Sequence, residues 1–156
     1  LGRIDYETEV VVRISRLGKS IAAKFADRYW DAVTLGIDFT ARDMQTDFRS
    51  KGLPWELCKG FDGSAVIGDW IPREEAGDIE NLRFNLDIDG KTVQEGCTAD
   101  MIFPAARIIE YVSSFFTLKT GDMIFTGTPA GVGPVSVGQH LQGFLEGKNV
   151  LDFHVR

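Results

Sequence analysis

Residues 82–95 constrain the fold more than any other stretch of this chain. Leu82, Phe84, Leu86 and Ile88 alternate with Arg83, Asn85 and Asp87, the period-two pattern of a strand with one face buried. Asp89-Gly90 follows, a dipeptide suited to a two-residue hairpin turn, and Lys91–Glu95 reads as the partner strand. Further strands are expected at Tyr6–Ile14, Val33–Asp38 and Met123–Thr126. Two more, His140–Leu145 and Val150–Val155, flank the Glu146-Gly147-Lys148-Asn149 turn. Ser20–Trp30 has the mixed apolar spacing of a short helix. A second helix is expected from Ala41 to Lys51, capped by Thr40, with Asp43 completing a capping-box-like start. Gly52-Leu53-Pro54 ends it. Pro104 suits the first position of a third helix, whose Ile108, Ile109, Val112 and Phe115 recur at helical spacing. The pattern predicts a β-rich α+β fold with two or three short helices outside the sheets.

The chain has 156 residues, 44% of them hydrophobic, enough for one domain with a real core. It contains no internal repeat, low-complexity tract or linker, so residues 1–156 are read as a single domain. The first residue is Leu1 and a strand follows almost at once, which leads us to expect a further segment upstream. A net charge of −6 argues against nucleic acid or an anionic membrane as partner. No apolar run reaches the roughly 18 residues of a membrane span, and no signal peptide opens the chain. Cys58 and Cys97 lack CxxC or Cys/His spacing, so a thiolate metal site is not expected. Reduced thiols and a cytoplasmic location are expected instead.

Candidate chemistry begins with Glu7 and Glu9. Side chains at i and i+2 of a strand share a face, about 6.5–7 Å apart, and two carboxylates held so repel unless a cation lies between them. Asp38, at the end of another strand, would complete an oxygen site suited to Mg²⁺, Mn²⁺ or Ca²⁺ rather than zinc. The Glu-x-Glu pattern alone leaves a solvated acidic sheet face equally open. Asp38 and Asp43 could instead serve as helix caps, and capping is the preferred reading for Asp43. Arg42 could pair with an acid or face a bound carboxylate. Lys59, among aromatic and apolar residues, could cover apolar surface or bind an enolate or carboxylate oxygen. The loop Gly127-Thr128-Pro129-Ala130-Gly131-Val132-Gly133-Pro134 matches neither a Walker A sequence nor a GxGxxG fingerprint, which disfavours nucleotide binding. Asp87-x-Asp89-Gly90 lacks the downstream ligands of an EF-hand and reads as a hairpin turn. His140 and His154 have no adjacent nucleophile motif and read as structural.

These segments together resemble the fumarylacetoacetate hydrolase family, particularly its acylpyruvase and oxaloacetate decarboxylase-like branch. The stretches that carry the resemblance are Tyr6-Glu7-Thr8-Glu9-Val10, Asp38-Phe39-Thr40-Ala41-Arg42-Asp43-Met44-Gln45, Lys51-Gly52-Leu53-Pro54-Trp55 and Lys59-Gly60-Phe61-Asp62. Gln94-Glu95-Gly96-Cys97-Thr98-Ala99-Asp100-Met101-Ile102 and the Thr126–Pro134 loop complete the set, which spans nearly the whole chain. The resemblance implies mixed β-sheets curled into a roll, often as a homodimer. It implies Glu7, Glu9 and Asp38 as ligands of Mg²⁺ or Mn²⁺, and Lys59 and Arg42 as catalytic residues. Gln45 and Thr128 would face a small 2-oxo or diketo acid substrate. The implied activity is metal-dependent cleavage of a C–C bond in such an acid, by an acylpyruvate- or fumarylacetoacetate-type hydrolase or an oxaloacetate-type decarboxylase. The rivals are an isomerase or decarboxylase of aromatic catabolism on the same scaffold, a non-catalytic metal- or ligand-binding fragment, and a calcium-stabilised structural protein. One departure is visible. Family members usually supply a His and a Glu, as a water-activating base, from a segment before the metal strand, and neither His140 nor His154 matches that position.

Overall fold

The structure is a computed structural model that describes residues 2–156. Its first half carries strands β1 (Ile4–Tyr6), β2 (Thr8–Ile14), β3 (Trp30–Asp38), β4 (Thr40–Ala41), β5 (Ala65–Ile67) and β6 (Ile71–Pro72). The second half adds β7 (Arg83–Ile88), β8 (Lys91–Cys97), β9 (Met123–Phe125), β10 (Gly133–Pro134), β11 (His140–Leu145) and β12 (Lys148–His154). Four α-helices lie between them: α1 (Arg42–Lys51), α2 (Glu56–Lys59), α3 (Arg73–Ala76) and α4 (Ala105–Phe115).

Three sheets result, with strand orders β10-β1-β4, β12-β11-β7-β8 and β5-β3-β2-β9, and β6 also pairs with β3. The fold is the β-rich α+β roll expected from the resemblance. The alternation at 82–88 becomes β7, with Phe84, Leu86 and Ile88 buried. Asp89 and Gly90 both take positive φ, 51° and 77°, the conformation a tight two-residue hairpin turn requires. In the five-stranded sheet, Val10, Val12 and Leu35 point into a core shared with Leu86, Leu141 and Leu151 of the four-stranded sheet. Close approach is explicit at Gly143, where an added Cβ would lie 3.2 Å from Leu35 Cδ1.

Several boundaries differ from the sequence expectation, for physical reasons. Tyr6–Ile14 is not one strand. The ladder breaks at Glu7, and β1 and β2 pair in different sheets. The expected helix at Ser20–Trp30 is a 3-10 helix limited to Ala23–Arg28, and Trp30 already opens β3. Thr40 does not cap α1. It lies in β4, Ala41 is the capping residue, and no side chain caps the helix. The Asp43 carboxylate accepts from the Arg3 N–H at 3.1 Å, so it ties the N-terminal strand to the helix rather than closing the helix end. Pro104 is the residue before α4, its carbonyl accepting the Arg107 and Ile108 N–H groups. The short elements between Glu56 and Ala76 were not anticipated, because pieces of two to four residues show no periodicity.

Candidate metal centre

Two strands change sheet at the same level, and the site lies at that crossing. The chain leaves β1 and enters β2 at Glu7. It likewise leaves β3 after Asp38 and enters β4 two residues later. The Asp38 N–H donates to the Glu7 carbonyl at 2.9 Å, which locks the two crossovers together. Carboxylate oxygens of Glu7, Glu9 and Asp38 then lie within 4.8 Å of one another. Glu9 is 5% exposed. Directly opposite it in the ladder is Gly36, where the space a side chain would take is filled by Phe125 and Val11.

Lys59, the last residue of α2, places its ammonium against this trio. Nζ donates to Glu7 Oε2 at 2.9 Å, Asp38 Oδ2 at 2.6 Å and Thr40 Oγ1 at 2.7 Å. Arg42, at the start of α1, donates from Nε to Asp5 Oδ2 at 2.8 Å and from Nη1 to Gln45 Oε1 at 2.6 Å. Its Nη2 donates to Glu7 Oε1. Asp5 is 1% exposed and is also held by Arg3 through Nε at 2.7 Å. The Gly127 N–H donates to Glu9 Oε2 at 2.6 Å.

Four carboxylates thus meet three cationic side chains, which leaves the cluster one negative charge in excess. The imbalance falls on Glu9. Burial, supplemented by the charges of Asp38 and Glu7 and only partly offset by the Gly127 N–H, pushes its carboxyl up to about 7. Asp38 is raised as well, by burial and the Glu7 charge against the pull of Lys59. Glu7 goes the other way: burial alone would raise it, but the bonds from Lys59 and Arg42 bring it below the usual range. Burial would lower Lys59, yet its bonds to Asp38 and Glu7 hold it above the usual lysine value.

This donor set fits a hard divalent cation. Every candidate ligand is an oxygen, three protein carboxylates converge, and Glu9 Oε1 and Asp38 Oδ1 carry no protein hydrogen bond. Mg²⁺ and Mn²⁺ favour such sites, with further positions taken by water or substrate. Among the described residues no other trio of His, Cys, Asp or Glu converges in this way. His140 and His154 stack on each other across β11 and β12, ring centroids 4.4 Å apart, with Asp152 2.6 Å from His140 Nε2.

The structure brings six of the seven sequence candidates together: Glu7, Asp38, Lys59, Arg42 and Gln45 are joined by hydrogen bonds, and Glu9 lies beside them, its carboxylate accepting from the Gly127 N–H. Thr128 stands behind β2. Its Oγ1 donates to the Thr8 carbonyl at 2.8 Å and accepts from Gln94, so its proton is already committed. It lines a cavity of about 500 Å³ with Val10, Phe84, Cys97 and Phe103, and none of the three carboxylates lines that cavity. Sequence reasoning missed Asp5, Thr40 and Gln94. Asp5 had a signal, since Asp5-x-Glu7-x-Glu9 continues the alternation by one acid. Cys58 and Cys97 are both free thiols.

The comparisons with known proteins decide the lineage. The family model described as fumarylacetoacetate (FAA) hydrolase C-terminal matches residues 1–156. The chain belongs to this family. Among its relatives, the mitochondrial oxaloacetate decarboxylase of Dictyostelium discoideum is 40% identical over 144 residues, covering 92% of this chain and 66% of that protein. The mitochondrial oxaloacetate tautomerase of Mus musculus is 38% identical over 153 residues, covering 98% and 69%. The crystal structure of fumarylpyruvate hydrolase from Pseudomonas aeruginosa, in complex with Mn²⁺ and pyruvate, superposes with a TM-score of 0.93. It is 36% identical, covering 99% of this chain and 66% of that one. The chain therefore spans about two thirds of the length of these members of the fumarylacetoacetate hydrolase family.

Proposed function

We propose that the chain binds Mg²⁺ or Mn²⁺ through Glu7, Glu9 and Asp38 and cleaves a C–C bond in a small 2-oxo or β-diketo acid. The observation that carries this reading is the convergence of three carboxylates in a cluster short of one positive charge. A bound divalent cation supplies Lewis acidity where negative charge develops on a substrate oxygen. The chain's own residues do the rest. Lys59 and Arg42 hold fixed positive charge beside that position, an effect worth about 3–4 kcal/mol per well-placed donor. Arg42 retains N–H donors beyond those bonded to Asp5, Gln45 and Glu7, and these suit a substrate carboxylate. Asp5 keeps the guanidinium plane oriented towards Glu7.

For an oxaloacetate-type acid, the electron pair of the bond to the departing carboxylate moves onto the neighbouring carbon and its carbonyl oxygen. Carbon dioxide leaves, and the resulting enolate takes a proton at carbon. Relatives named for oxaloacetate decarboxylation and for oxaloacetate tautomerisation both exceed 35% identity. Oxaloacetate is therefore the first substrate to assay, followed by acylpyruvates and fumarylpyruvate.

Calorimetric titration of Mn²⁺ and Mg²⁺, with and without oxalate as enolate mimic, tests the reading. Binding that oxalate strengthens and Glu9→Ala abolishes supports it. Turnover that persists in metal-stripped Asp38→Ala protein sinks it. We also propose a homodimer as the working form, supported by the exposure of Ile102, Phe103, Tyr111, Phe115 and Phe116 on and beside α4. No helix among the described residues is long and apolar enough to cross a membrane. The cytoplasm is the proposed compartment, tested by fractionation, with the organelle named for the mitochondrial relatives as the competing outcome.

A further inference from the structure

β9 pairs with β2 only across Val11–Arg13. Beyond it, the Thr126 N–H and hydroxyl still reach the Val10 carbonyl, at 3.2 and 2.7 Å. At Thr8 there is no strand left on that side, and both backbone groups are taken by side chains. Gln94 Oε1 accepts the Thr8 N–H at 3.1 Å, and Thr128 Oγ1 donates to the Thr8 carbonyl at 2.8 Å. Gln94 closes the ring, donating from Nε2 to Thr128 Oγ1 at 2.9 Å and to the Pro129 carbonyl at 3.1 Å. Its side chain is 2% exposed, and buried backbone groups left unpaired are costly. The position needs one acceptor and two donors at the reach of a long side chain. Glutamine alone meets that need; ionised Glu has no donor, and Leu has neither.

The ring has a consequence at the carboxylates. Thr8 lies between Glu7 and Glu9. Thr128 and Pro129 directly follow Gly127, whose N–H holds Glu9 Oε2. One buried amide therefore sets the separation between the strand that carries two of the acids and the loop that orients one of them. We infer that Gln94 is a positioning residue of the metal centre, fixing the Thr126–Pro129 loop against β2 so that the Gly127 N–H holds Glu9 towards Glu7 and Asp38. It touches no ligand and acts through Glu9. The inference rests on reading the three acids as a metal centre.

The test is Mn²⁺ calorimetry on the whole chain, paired with the Gly127 amide resonance of the metal-free protein. Groups that orient metal ligands typically contribute 10–100-fold in affinity. Gln94→Leu is expected to weaken Mn²⁺ binding by about that factor and to move the Gly127 amide proton upfield as its bond to Glu9 lengthens. Gln94→Glu is expected to change both in the same direction. Ile109→Ala, a cavity in the core of α4, controls for lost stability and is expected to change neither. Should the Gln94 variants fail to fold, Thr128→Val opens the same ring from the exposed side and must show the same two changes at smaller size. The inference is overturned if folded Gln94→Leu binds Mn²⁺ like wild type with an unmoved Gly127 amide, or if Ile109→Ala matches its losses. A wild type that binds no Mn²⁺ overturns the metal centre itself and this inference with it. That outcome is distinct from wild type and variant binding equally well.

Discussion

At Glu9, burial raises the carboxyl from an ordinary 4.5 to about 7, and the sign of its effect on stability follows. An acid whose folded value lies above its unfolded value gives a stability contribution that is complete below pH 4.5. That contribution is lost as pH rises through about 7. At roughly 1.4 kcal/mol per pH unit the loss is on the order of 3 kcal/mol. The lowered values of Glu7 and Asp5 act in the opposite sense, and their window lies below pH 4.5. In EDTA, the urea midpoint of wild type should fall between pH 5 and 7 while that of Glu9→Gln falls less steeply, the raised Asp38 carboxyl still contributing in the same sense; equal slopes would sink the argument. Thr8 offers a second case. Its Oγ1 is buried and has no hydrogen-bond partner, an arrangement that costs about 1–3 kcal/mol. Thr8→Val should therefore raise the melting temperature, by an amount equivalent to about 1 kcal/mol. A fall would mean the hydroxyl holds an internal water. Neither Thr8 nor Gln94 stands out in the sequence, because a polar residue on a buried face looks like any other break in the alternation. The end of β9 explains Gln94, whose amide takes over the Thr8 N–H, while nothing in the structure explains the Thr8 hydroxyl.

Elements whose faces differ in exposure were legible from the sequence, and those made by sheet crossings were not. β7 and β11 repeat with period two because one face meets the core, and β8 and β12 were legible from the turns that lead into them. β1 and β2 read as a single strand because the crossing at Glu7 leaves the side-chain alternation intact while the ladder changes sheet. Thr40 looked like a cap because it precedes a helix. In the fold it lies in β4 and accepts a bond from Lys59, so a tertiary contact displaced the local one. Two predictions belong here. Gly36 sits in β3 opposite Glu9, and an added Cβ would lie 2.6 Å from Phe125 Cε1 and 2.8 Å from Val11 Cγ2. Gly36→Ala should destabilise by about 1–3 kcal/mol through overpacking, measured by urea unfolding; an unchanged midpoint would show that β9 yields freely. At the end of α2, the Lys59 ammonium occupies oxygens of Glu7 and Asp38 that a cation would also use. Lys59→Met should therefore tighten Mn²⁺ binding in the absence of substrate. It should also lower kcat for the substrate identified by about 10²–10³-fold, the usual loss for one oxyanion-stabilising donor. Weaker metal binding in Lys59→Met would show that Lys59 organises the acids rather than competing for them.

On the scale of the molecule, the charge excess and the apolar surface lie in different places. The acids gather where β1–β2 and β3–β4 cross. The exposed apolar side chains gather around α4, where Phe103, Tyr111, Phe115 and Phe116 are each more than 60% exposed. Tyr111 and Phe115 pack edge to face, 5.2 Å between ring centroids, so the surface is ordered before anything covers it. Arg107 and Glu110 bond each other on the same helix. Two copies of α4 meeting across a two-fold axis would exchange these partners, so the patch is self-complementary in charge as well as apolar. Sedimentation at micromolar concentration should therefore give twice the 17.3 kDa chain mass. Phe103→Asp combined with Phe115→Glu should shift the protein to monomer while leaving Mn²⁺ binding in place, since neither residue bonds to the carboxylate cluster. A monomer at every concentration would overturn the homodimer. Loss of Mn²⁺ binding in a folded double variant would mean that the second copy helps to build the site.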